Sequence, residues 1–354
     1  MSLSLQDRYS RIVDAKLRAS LVQRDGYVWN NKYEGDPKAG AVKVPVRDEA
    51  TVVSYDKASG ASKSYTAGSF ITITIDKDKA VNEVLDGYAA AAVPDNIVAD
   101  RLDAAGYGLA AQMNTDATKA LLDAATVIGQ SSATTKSNIY DRFVDAKTKM
   151  SKAKVPAQNR WALVNPDTMA LVVKSSEFIA ASALGDEVKQ SGAVGRIAGF
   201  TVYEDATLPD DASVIFGHPD WCCRVEEWQV PVKLQSLDGS GTYIGASAIQ
   251  GRKVYAHAVT NSAAVYMDSA VLVPTIAEAT VSTTTTITIT GGTNTTSIKY
   301  RKGTVSDGVT TWGDWTTYDG SNKPTASATD IIEAYGLDAG GIRSGIVSHT
   351  VTAS

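Results

Sequence analysis

The chain has little of what most catalytic sites are made from. Its 354 residues include two cysteines and three histidines. The cysteines, Cys222 and Cys223, are adjacent, a spacing that neither staples a fold nor brackets a zinc ion. They read as buried thiols. The histidines, His218, His257 and His349, are far apart and give no HExxH pattern. No Gly-x-x-x-x-Gly-Lys-Ser/Thr phosphate loop occurs, and no Gly-x-Ser-x-Gly stands between an apolar strand and a helix. Glu226 and Glu227 are neighbours, so on a strand they point to opposite faces and make no acid/base pair. Asp76, Asp78 and Glu83 lack the tight spacing and turn glycine of a calcium loop. The expectation is a protein with no catalytic residues, no cofactor and no metal.

Long apolar runs are also missing. No stretch approaches the 18 or so residues of a membrane span. Leu3 and Leu5 are interrupted by serines, so no signal-peptide core is expected. With 34 basic and 39 acidic residues the net charge is -5, a poor balance for a dedicated nucleic-acid binder. The exception is the beginning of the chain, where Arg8, Arg11, Lys16, Arg18 and Arg24 outnumber Asp7 and Asp14.

What is present is length for two or three domains and, at 44% hydrophobic, enough apolar material for a core. Residues 1–26 read as a basic amphipathic arm, with Leu5, Tyr9, Ile12, Val13 and Leu17 at helical spacing and Gly26 at its end. Val42 to Arg47 and Thr51 to Tyr55 read as strands. Lys57 to Ser62 is a polar hairpin tip. The return, Ser64 to Ile75, has Ile71, Ile73 and Ile75 at a period of two. A two-stranded hairpin has no core of its own, so it must lie on its own domain or on another molecule.

Residues 79–92 are acidic and helix-compatible. From Pro94 to Ala125 the apolar positions Leu102, Ala105, Leu109, Met113, Ala117 and Leu121 recur in steps of three and four, the stripe of one long helix. Gly106 and Gly108 suggest close packing or a bend there. Residues 126–137 read as a loop, and Ile139 to Met150 as a helix with Phe143 and Val144 on its apolar side. Trp161 to Val164 is an apolar strand ending at Asn165-Pro166. Met169, Leu171, Val172 and Val173 offer a core face. Ser175 or Ser176 caps a short turn through Phe178 and Ile179. A run punctuated by Gly192, Gly195 and Gly199 then enters an alternating strand at Phe200 and Val202.

Ala212 to Phe216 and Trp221 to Val232 read as strands, Gly239 to Gly251 as a flexible segment, and Arg252 to Val259 as a strand. Composition changes after Val271-Leu272-Val273-Pro274. Thr283 to Thr290, Ser297 to Arg301, Gly308 to Tyr318 and Gly345 to Thr352 read as strands, with Asp330 to Tyr335 as a helical turn. Ile298, Tyr300, Trp312, Trp315, Tyr318, Ile331 and Ile332 can furnish a core for a small sandwich.

The ordered block QNRWALVNPDTMALVV…GAVGRIAGFTVYEDATLP, from Gln158 to Pro209, closely resembles the central domain of tailed-bacteriophage major capsid proteins. The hairpin and the long helix stand where that family has its extended loop and spine helix. The resemblance implies an α+β fold of the Hong Kong 97-like type, over roughly residues 1–270. Its parts would be an N-terminal arm (1–26), an extended β-hairpin loop (27–78) and a core with peripheral and axial domains (79–273). The core would hold the spine helix at about 94–125 and the axial domain at about 136–250. Residues 276–354 resemble, in architecture, an immunoglobulin-like surface domain.

The implied function is a coat protein that tiles as pentamers and hexamers into an icosahedral head around the genome, assembled in a bacterial cytoplasm. Its partners would be itself, scaffolding and portal proteins, and packaged double-stranded DNA through non-specific contacts, with no membrane. Lys57, Ser59 and Lys63 become candidates for inter-subunit contact, and Lys57 or Lys63 for the lysine-to-asparagine crosslink some capsids form. Arg8, Arg11 and Arg18 become an interior basic surface. A tail-tube or other virion subunit is the alternative, but such proteins generally lack a long spine helix.

Overall fold

The computed structural model describes residues 21, 28–30, 32, 40–46, 52–60, 69–87, 97–128, 130, 132–175, 195–281, 284–306 and 309–352. The arm with Arg8, Arg11 and Arg18, the hairpin residue Lys63, Pro94, and the turn expected from Ser176 through Ile179 lie outside them. In chain order the first elements are β1 (Ala41–Val46), β2 (Ser69–Thr74), β3 (Lys77–Asp86), α1 (Ile97–Ala124), β4 (Thr126–Ile128), α2 (Ile139–Lys152), β5 (Trp161–Val164) and α3 (Pro166–Val173). Next come β6 (Arg196–Ile197), β7 (Phe200–Glu204), β8 (Ala212–Gly217), β9 (Cys222–Ser236), β10 (Ala246–Val259) and β11 (Val265–Ser269). The last are β12 (Thr275–Val281), β13 (Thr284–Thr290), β14 (Ser297–Ser306), β15 (Val309–Trp312), β16 (Thr316–Thr317), β17 (Thr325–Ala326), β18 (Ile331–Leu337) and β19 (Val347–Thr350).

The chain forms two compact units. One contains Asn30–Ala117 and Cys222–Thr260. Its main sheet is antiparallel, in the order β3-β10-β9. Pro231 stands in a register shift opposite Gln250 to Arg252, where its missing N–H leaves no ladder bond unmade. Gly251 at the same shift has no room for a side chain, since a Cβ would lie 2.7 Å from the Val232 side chain and 3.3 Å from Leu109. On α1 the stripe expected from sequence is buried at Ala105, Leu109, Met113, Ala117 and Leu121. Tyr255 on β10 donates its hydroxyl to Asp116 Oδ2 at 2.8 Å.

The second unit contains Thr118–Trp221 and Asn261–Ser354. It holds a mixed six-stranded sheet in the order β4-β11-β8-β5-β7-β6. All four residues of β5 are buried. Asn165 then starts α3: its Oδ1 accepts from the Thr168 N–H at 2.8 Å, its Nδ2 donates to the Asp210 carbonyl, and Pro166 fills the first helical position. Phe143 of α2 meets Phe216 and Phe200 edge-on, with centroids 5.0 and 6.2 Å apart. β6 and β7 are joined by Ala198 and Gly199 at φ 48° and 97°, the positive pair that a tight hairpin turn requires. The same unit carries two smaller sheets, β12-β13-β17 and β15-β14-β18-β19 with β16 beside β14. Between them Ile287, Ile289, Ala326, Ile332, Ala334 and Val351 form one core.

Several expectations are corrected. Within 79–92, residues 79–86 belong to a strand that pairs with β10 along its whole length, and this ladder overrides helical propensity. Thr51 to Tyr55 was expected as a strand, yet Val52 to Tyr55 join no ladder. Residues 126–128, expected in a loop, are β4, parallel to β11. The segment expected to be flexible up to Gly251 is paired from Ala246 onward. The helical turn at Asp330 to Tyr335 is replaced by β18, where Ile332, Ala334 and Gly336 alternate toward the core. Val144 is exposed rather than on the buried side of α2. Gly106 and Gly108 have open space where a Cβ would be, so close packing is not their reason.

Candidate functional site

The feature with the character of a docking element is the hairpin. β1 and β2 pair antiparallel from Ala41↔Thr74 to Val46↔Ser69. Their alternation sends Val44 and Ile73 inward, onto Cys223, Val225 and Ala256 of the three-stranded sheet. The base of the hairpin is therefore seated on its own unit. On the opposite face Phe70 is 63% exposed, and toward the tip Tyr55 is 75% and Val52 94% exposed. Sequence reading weighed only polar tip residues. The period of two that turns Ile71 and Ile73 inward also turns Phe70 out, so this signal was available.

The tip is a compact turn. Asp56 and Gly60 exchange backbone hydrogen bonds at 3.2 and 2.8 Å, with Gly60 at φ 76°. The Asp56 carboxylate accepts from the N–H groups of Ala58 and Ser59 at 2.7 and 2.9 Å. The Ser59 and Ala58 amides hold its pKa below the usual carboxylate value. Lys57 and Ser59 stand exposed on this turn.

The other candidates for chemistry disperse. Asp76 pairs with Lys77 at 2.6 Å, Asp78 takes the Arg252 guanidinium in a two-pronged contact, and Glu83 pairs with Arg101. Along β3 the even residues are exposed and the odd ones half-buried, which puts Asp78 and Glu83 on opposite faces. Among the described residues no group of His, Cys, Asp and Glu is arranged to hold a metal ion. Glu226 receives Arg224 at 2.6 Å. His218 accepts from the Asp220 N–H, and His349 lies 3.5 Å from Glu278. Cys222 and Cys223 are fully buried and form no disulfide, and burial pushes the Cys222 thiol up to about 12, away from the thiolate form. No described helix is long and apolar enough to cross a membrane.

A long helix, a three-stranded sheet carrying an extended hairpin, and a mixed six-stranded sheet domain define the Hong Kong 97-like class of capsid fold. A family model described as "phage capsid protein" matches residues 63–267. That is more than half of the chain, and the chain belongs to this family. Solved structures agree on the fold. A structure from Mycobacterium phage Che8 is 18% identical with a TM-score of 0.62, covering 76% of this chain and 98% of that one. The capsid of cyanophage P-SCSP1u is 12% identical with a TM-score of 0.63, covering 75% and 93%. The mature capsid of bacteriophage PhiM1 is 13% identical with a TM-score of 0.58, covering 75% and 91%. A search of curated proteins finds no match. The protein is a major capsid protein, a virion subunit that self-assembles into a shell, and its work is mechanical rather than catalytic.

Proposed function

We propose that the shell is an icosahedral head of pentamers and hexamers, held together in part by the hairpin of each subunit lying on its neighbour. The observation that carries this is the split in the hairpin. Val44 and Ile73 seat its base, while Phe70 on the opposite face and Val52 and Tyr55 toward the tip are apolar and exposed. Burying such side chains at a repeated interface contributes of order 1.5–3 kcal/mol each. Lys57, Ser59 and Lys63 are the contact candidates at the tip. Replacing Val52 and Tyr55 with serine is expected to leave thermal unfolding of the subunit unchanged and to remove shells from sedimentation profiles. Shells of normal abundance and stability from that variant would refute the reading.

The rest of the reading follows family anatomy and charge. The basic arm faces inward, with Arg8, Arg11 and Arg18 against the packaged double-stranded DNA or a scaffold. Scaffolding and portal proteins are the expected partners, and assembly takes place in the bacterial cytoplasm. Residues 276–354 form an immunoglobulin-like domain on the outer surface, supported by two sheets around the core of Ile287, Ile289, Ile332 and Ala334. Cryo-microscopy of shells with and without these residues tests its place: density lost from the outer wall supports it, and density lost from the inner wall overturns it.

A further inference from the structure

The six-stranded sheet places four residues in one row. Its register sets Arg196 of β6 beside Thr201 of β7, Thr201 beside Trp161 of β5, and Trp161 beside Gly217 of β8. Residues paired in this way share a face of the sheet. Gly217 has no side chain, and the Trp161 indole lies over it: a Cβ there would stand 2.2 Å from the ring. Arg196, Thr201 and Trp161 line a cavity of about 220 Å³, and Asn159, Arg160 and Tyr203 share its wall. At about 30 Å³ for one water, this is room for a group of phosphate size with a few waters.

The wall carries two positive charges and no negative one. Arg160 is buried. Its guanidinium donates to the carbonyls of Pro156, Lys147 and Val155 at 2.8, 3.4 and 2.7 Å, and to the Ser151 hydroxyl at 3.3 Å. All of these acceptors are neutral, and no carboxylate among the described residues pairs with it. Burial pushes its pKa below the usual guanidinium value. A buried charge without a counter-charge is costly. Arg196 is exposed and also pairs with no carboxylate among the described residues. Trp161 adds a buried indole N–H that meets no acceptor among them. The Thr201 hydroxyl can donate as well.

We propose that this cavity is an oxyanion site, taking one group of carboxylate or phosphate size on Arg196, Trp161 and Thr201, beside the buried charge of Arg160. Guanidinium groups recognise such oxyanions by paired, charge-assisted hydrogen bonds. The bound group supplies the negative charge that the wall lacks. Two sources carry this chemistry: a free inorganic anion, and an acidic side chain of a neighbouring copy in the shell. The site stands whether or not the hairpin is the contact that holds the shell together.

Isothermal titration calorimetry of the unassembled full-length chain with inorganic phosphate tests this, against sodium chloride of equal ionic strength. The expected result is saturable binding of one phosphate per chain. Arg196→Gln removes the exposed charge and should weaken binding about tenfold. Thr201→Val keeps the shape of the strand residue, removes its donor, and should weaken binding about threefold. Lys136→Gln, an exposed cation outside the cavity wall, should bind as the wild type does. Titrating assembled shells separates the sources. Shells that still take phosphate point to a free anion, and shells whose sites are closed point to a neighbour's carboxylate. Failure of the unassembled wild-type chain to bind phosphate saturably overturns the proposal, whatever the variants do. So does wild-type affinity in both Arg196→Gln and Thr201→Val.

Discussion

Arg343 donates from Nη2 to the Ala125 carbonyl at 2.9 Å, a partner 218 residues away in sequence. Ala125 directly follows α1, whose last turn carries no basic residue of its own. The guanidinium thus meets the negative end of the helix and one of its orphan carbonyls. Arg343→Ala is expected to cost about 1–2 kcal/mol, visible as a lower Tm, with Arg343→Lys recovering part of the loss. An unchanged Tm in Arg343→Ala would show that the contact contributes nothing.

Leu109 is buried on the α1 stripe, against the backbone of Gly251. Leu109→Asp places an unpaired charge there and is expected to cost about 2–5 kcal/mol. The readout is insoluble subunits rather than misassembled shells. Soluble protein with wild-type thermal unfolding would mean that the face is not a core face.

Two glycines predict opposite signs. A Cβ on Gly217 would stand 2.2 Å from the buried Trp161 ring, so Gly217→Ala forces the indole or the strand to move, at about 1–3 kcal/mol. A Cβ on Gly106 meets nothing within 4 Å, inside a helix. Gly106→Ala should therefore stabilise by about 0.5–1 kcal/mol. Thermal unfolding of the pair checks both, and a shared sign would contradict the account of either site.

Asp268 is fully buried on β11, with Thr134 donating to its Oδ2 at 2.8 Å. Burial raises its pKa above the usual carboxylate value. The folded state therefore holds the proton more tightly than the unfolded chain, and this group's contribution to stability falls as pH rises through the folded pKa. Asp268→Asn keeps an acceptor for Thr134 and removes the titration. Stability of the variant should fall less steeply with pH than that of the wild type, as measured by denaturant midpoints; identical slopes would contradict this.

Much of the architecture was legible because it rests on period and punctuation. The α1 stripe from Ala105 to Leu121, the Asn165-Pro166 helix start and the alternation of Ile71 and Ile73 are each written locally. What was not legible depends on partners distant in sequence. Lys77–Asp86 is a strand because β10 lies beside it, and nothing in the helix-compatible composition of 79–92 announces that. Thr126–Ile128 is too short to carry a period, and it is a strand only because β11 is adjacent. The exposed apolar face of the hairpin was half legible: the tip stood out through its polarity, whereas Val52, Tyr55 and Phe70 became visible through their exposure.

Electron microscopy of the purified chain, with and without residues 56–63, tests the central claim most directly. The account predicts closed icosahedral shells from the full chain. The shortened chain should stay folded and soluble, and give no shells or fragile ones. A full chain that stays monomeric under assembly conditions or forms only smooth tubes would contradict the account, as would a shortened chain that builds equally stable shells.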